Sequence, residues 1–245
     1  MTLDAMRAHY RDLLAPVYGW MLGDPAAAYA RSRVELESLG IGPARPGERG
    51  LDLGAGNGLQ SIPLANLGYR VTAVDASHEL LAELMRACPD VEVVNADLGS
   101  YRARVGQHAV VVCMGDTLPH LASFTDVERV LAQAAQSLAP GGKLCLTFRD
   151  YASSVREGAD RFVLVRGDAD RVLTCCLDYG QERVNVTDIL HERRDGAWTM
   201  KTSTYQKLRL SRDQVEGALA MQGLEVARAD VTGGRVTLVA RRPPM

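Results

Sequence analysis

The chain has 245 residues, 47% of them hydrophobic and 24% charged, with Lys+Arg 28 against Asp+Glu 30 and a formal net charge of -2. This is the make-up of an ordinary globular protein, long enough to bury a core without disulfide or metal staples. The balanced charge excludes a broadly basic surface for nucleic acid, and aromatics at 5% with Phe 3 are too few for a base-stacking platform.

Five cysteines, Cys88, Cys113, Cys145, Cys175 and Cys176, show no C-x-x-C spacing and read as small core hydrophobes in a reducing compartment. Residues 1–11 are charged and lack an apolar h-region, so no signal peptide is expected. The longest apolar run, 109–114, is too short to span a bilayer, and the expected location is cytoplasmic.

In chain order, Leu3, Met6, Tyr10, Leu13, Leu14 and Val17 recur at three- and four-residue spacing and predict a helix. Gly23-Asp24-Pro25 breaks it, a second helix runs through Tyr29, Val34 and Leu36 to Gly40, and 41–50 is a Gly/Pro-rich connector. Short apolar runs at 51–53, 71–74, 91–94, 109–114 and 143–148 then alternate with helical spacing at 60–67, 78–88 and 124–138. That rhythm predicts βαβ units and a mostly parallel sheet with helices on both faces. Pro140-Gly141-Gly142 is expected to close the last of these helices.

After Asp150 the pattern changes. The β-prone runs 161–166, 171–179, 182–191 and 198–210, separated by turn residues, predict an antiparallel sheet inserted into the parallel one. Ser211 with Gln214 predicts a capping box on a helix to Gln222, and 223–231 and 235–241 a closing hairpin around Gly233-Gly234. The division is therefore an N-terminal helical cover (1–47), a scaffold (48–150 and 211–245) and a β insertion (151–210).

The most informative stretch is Leu51-Asp52-Leu53-Gly54-Ala55-Gly56-Asn57-Gly58-Leu59-Gln60, after a predicted strand and opening a helix. Glycine there lets a ligand approach the backbone closely. Asp75 ends the second predicted strand, where a carboxylate can accept hydrogen bonds from both ribose hydroxyls of an adenosine. The dinucleotide fingerprint G-x-G-x-x-G fails at Leu59, and Asp52 is a poor neighbour for a diphosphate but a good one for an ammonium. A ligand with an adenosine, a cationic amine and no phosphate fits the pattern better.

On these residues the sequence resembles class I S-adenosylmethionine-dependent methyltransferases. Asn95-Ala96-Asp97-Leu98 looks like that family's adenine-edge segment, and Val111-Val112-Cys113-Met114-Gly115-Asp116 like its fourth strand entering the active site. The resemblance covers roughly 48–150 and returns at 211–241. It implies a Rossmann-like, seven-stranded mixed α/β sheet and S-adenosylmethionine as cofactor. The cofactor-binding residues it implies are Tyr10, Tyr18, Asp52, Gly54, Ala55, Gly56, Gly58, Asp75, Ala76, Asp97, Leu98 and Met114.

Finer matching points to glycine N-methyltransferase-like small-molecule enzymes. Tyr10…Tyr18-Gly19-Trp20…Gly23-Asp24 resembles their aromatic lid, Gly115-Asp116-Thr117-Leu118-Pro119-His120-Leu121 their polar loop, and Phe148-Arg149-Asp150-Tyr151 the strand end that meets a substrate carboxylate. The insertion, ending in Ser203-Thr204-Tyr205, resembles their substrate cover. The pattern departs at Asp116, where that branch has Asn, and the Arg expected near Pro25 is absent, so glycine itself is not the expected acceptor. His120 and Asp116 become the candidate catalytic pair, His120 as a base of near-neutral pKa by residue type, and Arg149 and Tyr205 the acceptor-binding candidates.

Simpler roles compete. His120 can cap a helix or bond a carbonyl, Asp116 can be an N-cap, Arg149 can pair with Asp150, and Tyr10 and Tyr18 can be plain core. No N-P-P-Y-like segment, no Pro-Cys nucleophile and no metal-spaced cluster favours another chemistry. The expected partner is a small-molecule methyl acceptor, an amine in the first reading, with O- or C-methylation as the alternative, and with no nucleic acid and no membrane; a homo-oligomer is compatible. A non-catalytic cofactor-binding sensor or assembly subunit and a nicotinamide oxidoreductase are the rival classes.

Overall fold

The computed structural model describes residues 8–244, so Leu3 and Met6 of the first expected helix lie outside the described residues. A π-helical turn, Tyr10–Leu14, leads into α1 (Ala15–Leu22). α2 (Pro25–Ser38) starts with Pro25, and Asp24 caps it by accepting the Ala27 N–H at 2.7 Å.

The scaffold follows as β1 (Arg49–Leu53), α3 (Ser61–Asn66), β2 (Arg70–Asp75), α4 (His78–Ala87), β3 (Glu92–Asn95), β4 (His108–Cys113), α5 (Phe124–Ser137) and β5 (Leu138–Arg149). A second sheet comprises β6 (Phe162–Gly167), β7 (Arg171–Tyr179), β8 (Arg183–Arg194) and β9 (Ala197–Leu208). The chain then returns through α6 (Arg212–Met221), β10 (Glu225–Thr232) and β11 (Arg235–Arg241). The expected capping box is present, with Ser211 and Gln214 satisfying each other's backbone N–H groups.

The first sheet has seven strands in the order β10-β11-β5-β4-β1-β2-β3. β1 to β5 pair in parallel, whereas β11 is antiparallel to both β5 and β10. Side chains on alternate positions feed two cores. Val111, Cys113, Leu144 and Leu146 face a core completed by α5 and α6, while Val110, Val112 and Cys145 face one completed by α2, α3 and α4. Burial on both faces is why these strands appear in the sequence as continuous apolar runs. The strand order reverses between β1 and β4, and the loops leaving their carboxyl ends diverge to leave a crevice.

One expectation changes. Pro140-Gly141-Gly142 does not close α5, which ends at Ser137; the three residues lie inside β5. Pairing passes from His108↔Leu138 to Val110↔Lys143, so they form an irregular bulge held by Gly141 N–H to Arg242 O at 3.0 Å and Arg242 N–H to Gly142 O at 2.9 Å. The antiparallel strands of the expected insertion are present as a separate sheet. They form their own meander, β6-β7-β8-β9, whose inner face packs Leu173 and Leu190 against Leu13, Leu14 and Val17. All five cysteines are free, and among the described residues no helix is long and apolar enough to cross a membrane.

Candidate active site

A cavity of about 970 Å³ lies at the carboxyl ends of the parallel strands, between the first sheet, the N-terminal helices and the inner face of the second sheet. Its walls include fourteen of the sixteen candidates read from the sequence: Tyr10, Tyr18, Gly54, Ala55, Gly56, Asp75, Ala76, Asp97, Leu98, Met114, Asp116, His120, Arg149 and Tyr205. Asp52 and Gly58 do not line it.

At one end the loop after β1 folds over the end of β2. Gly54 and Ala55 N–H groups donate to Val74 O at 2.8 and 3.1 Å. Asp75 accepts from Gly56 N–H and Ser77 N–H, both at 2.8 Å, one on each carboxylate oxygen. Burial raises the Asp75 pKa, and these backbone hydrogen bonds oppose the rise. Gly58 serves packing: its φ is +93°, and a methyl there would collide with Leu84 Cδ1 of α4. Asp52 sits behind the loop, 1% exposed, accepting the Ser61 hydroxyl at 2.6 Å, and its other oxygen has no hydrogen-bond partner among the described residues. Burial pushes its pKa up to about 7, against the Ser61 hydrogen bond. It therefore supports the loop from beneath and does not face the cavity. Tyr10 and Tyr18 both line the cavity and pack on the N-terminal core.

These residues fit S-adenosylmethionine. A Cβ at Gly56 would meet nothing closer than the Tyr18 hydroxyl at 3.7 Å, the Asp75 carboxylate reaches the wall, and Ala76 and Leu98 supply apolar surface.

The other end is built around Asp116. It accepts the Arg149 N–H at 3.0 Å and the Tyr151 hydroxyl at 2.8 Å, and it pairs with the Lys207 ammonium. Burial alone would raise its pKa, but Lys207 and these hydrogen bonds outweigh it and hold the carboxyl low. Asp116 is thus no N-cap; it is an ionised anchor. The Arg149 side chain makes no ion pair with Asp150, whose Oδ1 takes the Ala152 and Ser153 N–H groups at 3.0 and 2.7 Å. Arg209 pins this segment by donating to Tyr151 O at 3.0 Å and Ala152 O at 3.2 Å.

His120 stacks on Tyr205, with centroids 5.4 Å apart and planes 15° apart, and lies 6.0 Å from the Tyr10 ring. Among the described residues its Nδ1 has no hydrogen-bond partner, and α5 is capped by Ser123 instead. The expectation of a near-neutral histidine is corrected: burial first, then the Lys207 charge, push it down to about 3. At neutral pH the ring is uncharged and a weak base, suited to hydrogen bonding.

Sequence reasoning missed Lys207, Tyr151, Asp188 and His9. Tyr205 and Lys207 are two apart on β9 and so share its inner face, a period-two signal open to a closer reading. Asp188 sits in the inward row Val184-Val186-Asp188-Leu190 of β8. His9, 1% exposed and 4.2 Å from the Tyr205 ring, carries no local signal, because the fold alone brings it there.

Residues 51–142 match a family model described as a methyltransferase domain. The glycine/sarcosine/dimethylglycine N-methyltransferase of Actinopolyspora halophila is 31% identical over 121 residues, 47% of this chain and 21% of that protein. The demethylmenaquinone methyltransferase of Beutenbergia cavernae is 36% identical over 115 residues, 46% of this chain and 44% of that one. The chain thus spans less than half the length of these curated relatives. The S-adenosylmethionine-bound amino pentose methyltransferase CalS10 of Micromonospora echinaspora shares the fold, with a TM-score of 0.70 at 19% identity over 99% of this chain and 98% of that one. Residues 51–142 thus match a methyltransferase domain, and the seven-stranded sheet with its glycine loop closed on Asp75 shares its fold with a solved S-adenosylmethionine-bound methyltransferase.

Proposed function

We propose that the protein methylates a small-molecule amine. The observation that carries this reading is the continuity of one cavity from the Gly54–Gly56 loop and Asp75 to the enclosed cluster of Asp116, His120, Tyr205 and Lys207. S-adenosylmethionine, when bound, supplies an electrophilic methyl group on a sulfonium. The chain's own residues supply enclosure and alignment, effects worth roughly 7–11 kcal/mol in favourable intramolecular models.

Asp75 would hold the ribose, with Asp97 and Leu98 beside the adenine and Tyr10, Tyr18 and Met114 enclosing the reacting end. Asp116 fixes Lys207 and Tyr151; His120, neutral, offers Nδ1 to the acceptor. The burial and Lys207 charge that depress His120 act equally on a bound alkylammonium, favouring the free amine whose lone pair reacts. The amine acceptor also accords with the names of the N-methyltransferase and amino pentose relatives. Lys207 and Arg149 favour a second reading, an acceptor that reacts as an ionised oxygen or enolate.

Calorimetry with S-adenosylmethionine and its demethylated product tests the cofactor half. Binding is expected, and Asp75→Ala should weaken it about tenfold to a hundredfold through lost charged hydrogen bonds worth roughly 1.5–3 kcal/mol. A panel of sarcosine, glucosamine and tyramine, with catechol as the oxygen acceptor and products weighed by mass spectrometry, tests the acceptor half. Methylation of catechol alone would replace the amine reading by the second, and binding without methylation of any member would leave a cofactor-binding sensor.

A further inference from the structure

From the geometry we infer that Asp188 is the group that receives the acceptor's nitrogen and takes its proton, an inference that rests on the amine reading above. Asp188 lines the cavity from the inner face of β8, with its side chain 6% exposed. Among the described residues no group makes a hydrogen bond to it; His9 Nε2 lies 3.2 Å from its Oδ2 and pairs with it only when the imidazole is protonated. The other carboxylates of this end are committed: Asp116 to Lys207, Tyr151 and the Arg149 N–H, and Asp150 to two backbone N–H groups. Burying an ionised carboxylate without donors is costly, so an open one facing a cavity marks a place for a cationic or N–H-bearing ligand.

The surroundings point the same way. Besides His9, the groups facing Asp188 are Tyr10 from the N-terminal turn, Cys175 from β7 and Tyr205 from β9. Burial first, with the Asp188 charge contributing, raises all three, so each stays protonated and none competes for a proton. Among the described residues, two buried imidazole nitrogens, His9 Nδ1 and His120 Nδ1, have no hydrogen-bond partner around the same Tyr205 ring, and His9 Nε2 meets only the Asp188 carboxylate. An acceptor nitrogen placed between Asp188 and His120 would satisfy groups that the protein leaves open.

The step balances simply. The incoming ammonium breaks one N–H bond and gives the proton to an oxygen of Asp188; the nitrogen keeps the electron pair and becomes a neutral amine, and the carboxylate becomes a neutral carboxyl. His120, too weakly basic to hold that proton, is left as a hydrogen-bond partner that positions the nitrogen.

The experiment compares wild type with the near-isosteric Asp188→Asn, using whichever panel amine the wild type methylates best, with catechol as the oxygen control. We expect kcat/KM for the amine to fall at least tenfold, with unchanged affinity for the demethylated cofactor and a smaller change for catechol. As a readout free of turnover and of the variant's folding, the same amine is titrated into wild type loaded with the demethylated cofactor, in buffers of different ionisation enthalpy. Little net proton release to the buffer is expected. Release of a full proton overturns the inference, as does equal loss for amine and catechol, which marks a merely structural aspartate. An unchanged kcat/KM overturns it while leaving the amine reading intact. Cofactor binding without methylation of any panel amine overturns both together.

Discussion

Replacing Asp52 by asparagine should make the protein more stable at alkaline pH and remove part of its pH dependence. Asp52 is fully enclosed beneath the glycine loop, with one oxygen bonded to Ser61 and the other without a hydrogen-bond partner among the described residues. Burial lifts its pKa from 3.8 to about 7 in the folded chain. An acid whose folded pKa is raised stabilises the fold only while protonated. Between pH 4 and pH 7 the unfolded chain has already released this proton and the folded one has not, so stability falls as pH rises through that window and levels off above it. At about 1.4 kcal/mol for each tenfold change in proton affinity, the whole loss is on the order of 4 kcal/mol, of which about 2.5 kcal/mol falls between pH 5 and pH 8. Asparagine keeps the shape and an oxygen for Ser61 but cannot ionise. Urea unfolding of both proteins at pH 5, 6, 7 and 8 isolates this group, because every other carboxylate is common to the pair. The gap in unfolding free energy should widen by that amount in favour of the variant as pH rises. A gap constant with pH would refute the reasoning, since it would mean Asp52 titrates alike in both states.

Two further substitutions separate packing from chemistry. Gly58→Ala places a methyl against Leu84 Cδ1 at a φ of +93°, and overpacking plus left-handed strain should cost about 2–4 kcal/mol in urea unfolding; intact stability with a tenfold loss of cofactor affinity would instead assign Gly58 to the ligand. Lys207→Met strips the buried Asp116 of its counter-ion, which should cost about 3 kcal/mol and lower turnover. It also removes the second cause of the His120 depression, so an NMR titration should find that ring above about 3 but still below 6.5, and an unmoved His120 would contradict its coupling to Lys207.

What could be read from the sequence was what is encoded locally. β4 and the last strand stood out because both faces of the sheet are covered, and the expected run 235–241 coincides with β11. Ser211 and Gln214 announced their helix because a capping box is complete within four residues. The glycine loop and Asp75 were visible for the same reason, being two ends of consecutive strands. Pro140-Gly141-Gly142 misled because the backbone of Arg242 and the edge of β4 recruit those residues into a strand, which outweighs their preference as a stop. The acceptor end was only partly legible. Asp116 and His120 belong to one loop, but Lys207, Asp188 and His9 reach it from distant segments, and burial together with the Lys207 charge overturns the near-neutral pKa expected for His120.

The hairpin between β8 and β9 carries a consequence for how this wall of the cavity can diverge. The strands pair without slippage from Arg183↔Leu208 to Arg194↔Ala197 and turn on Asp195 and Gly196, both at positive φ, in the two-residue manner of a primed turn. Because side chains alternate, a one-residue insertion at that exposed tip that propagated down β9 would rotate Tyr205 and Lys207 outward and present Thr204 and Gln206 to the cavity. The cradle formed by Gly54, Gly56 and Asp75 belongs to the other sheet and would be untouched. A change in loop length remote from the glycine loop could therefore exchange an aromatic and cationic wall for a neutral polar one, reshaping one end of the cavity while the other is retained.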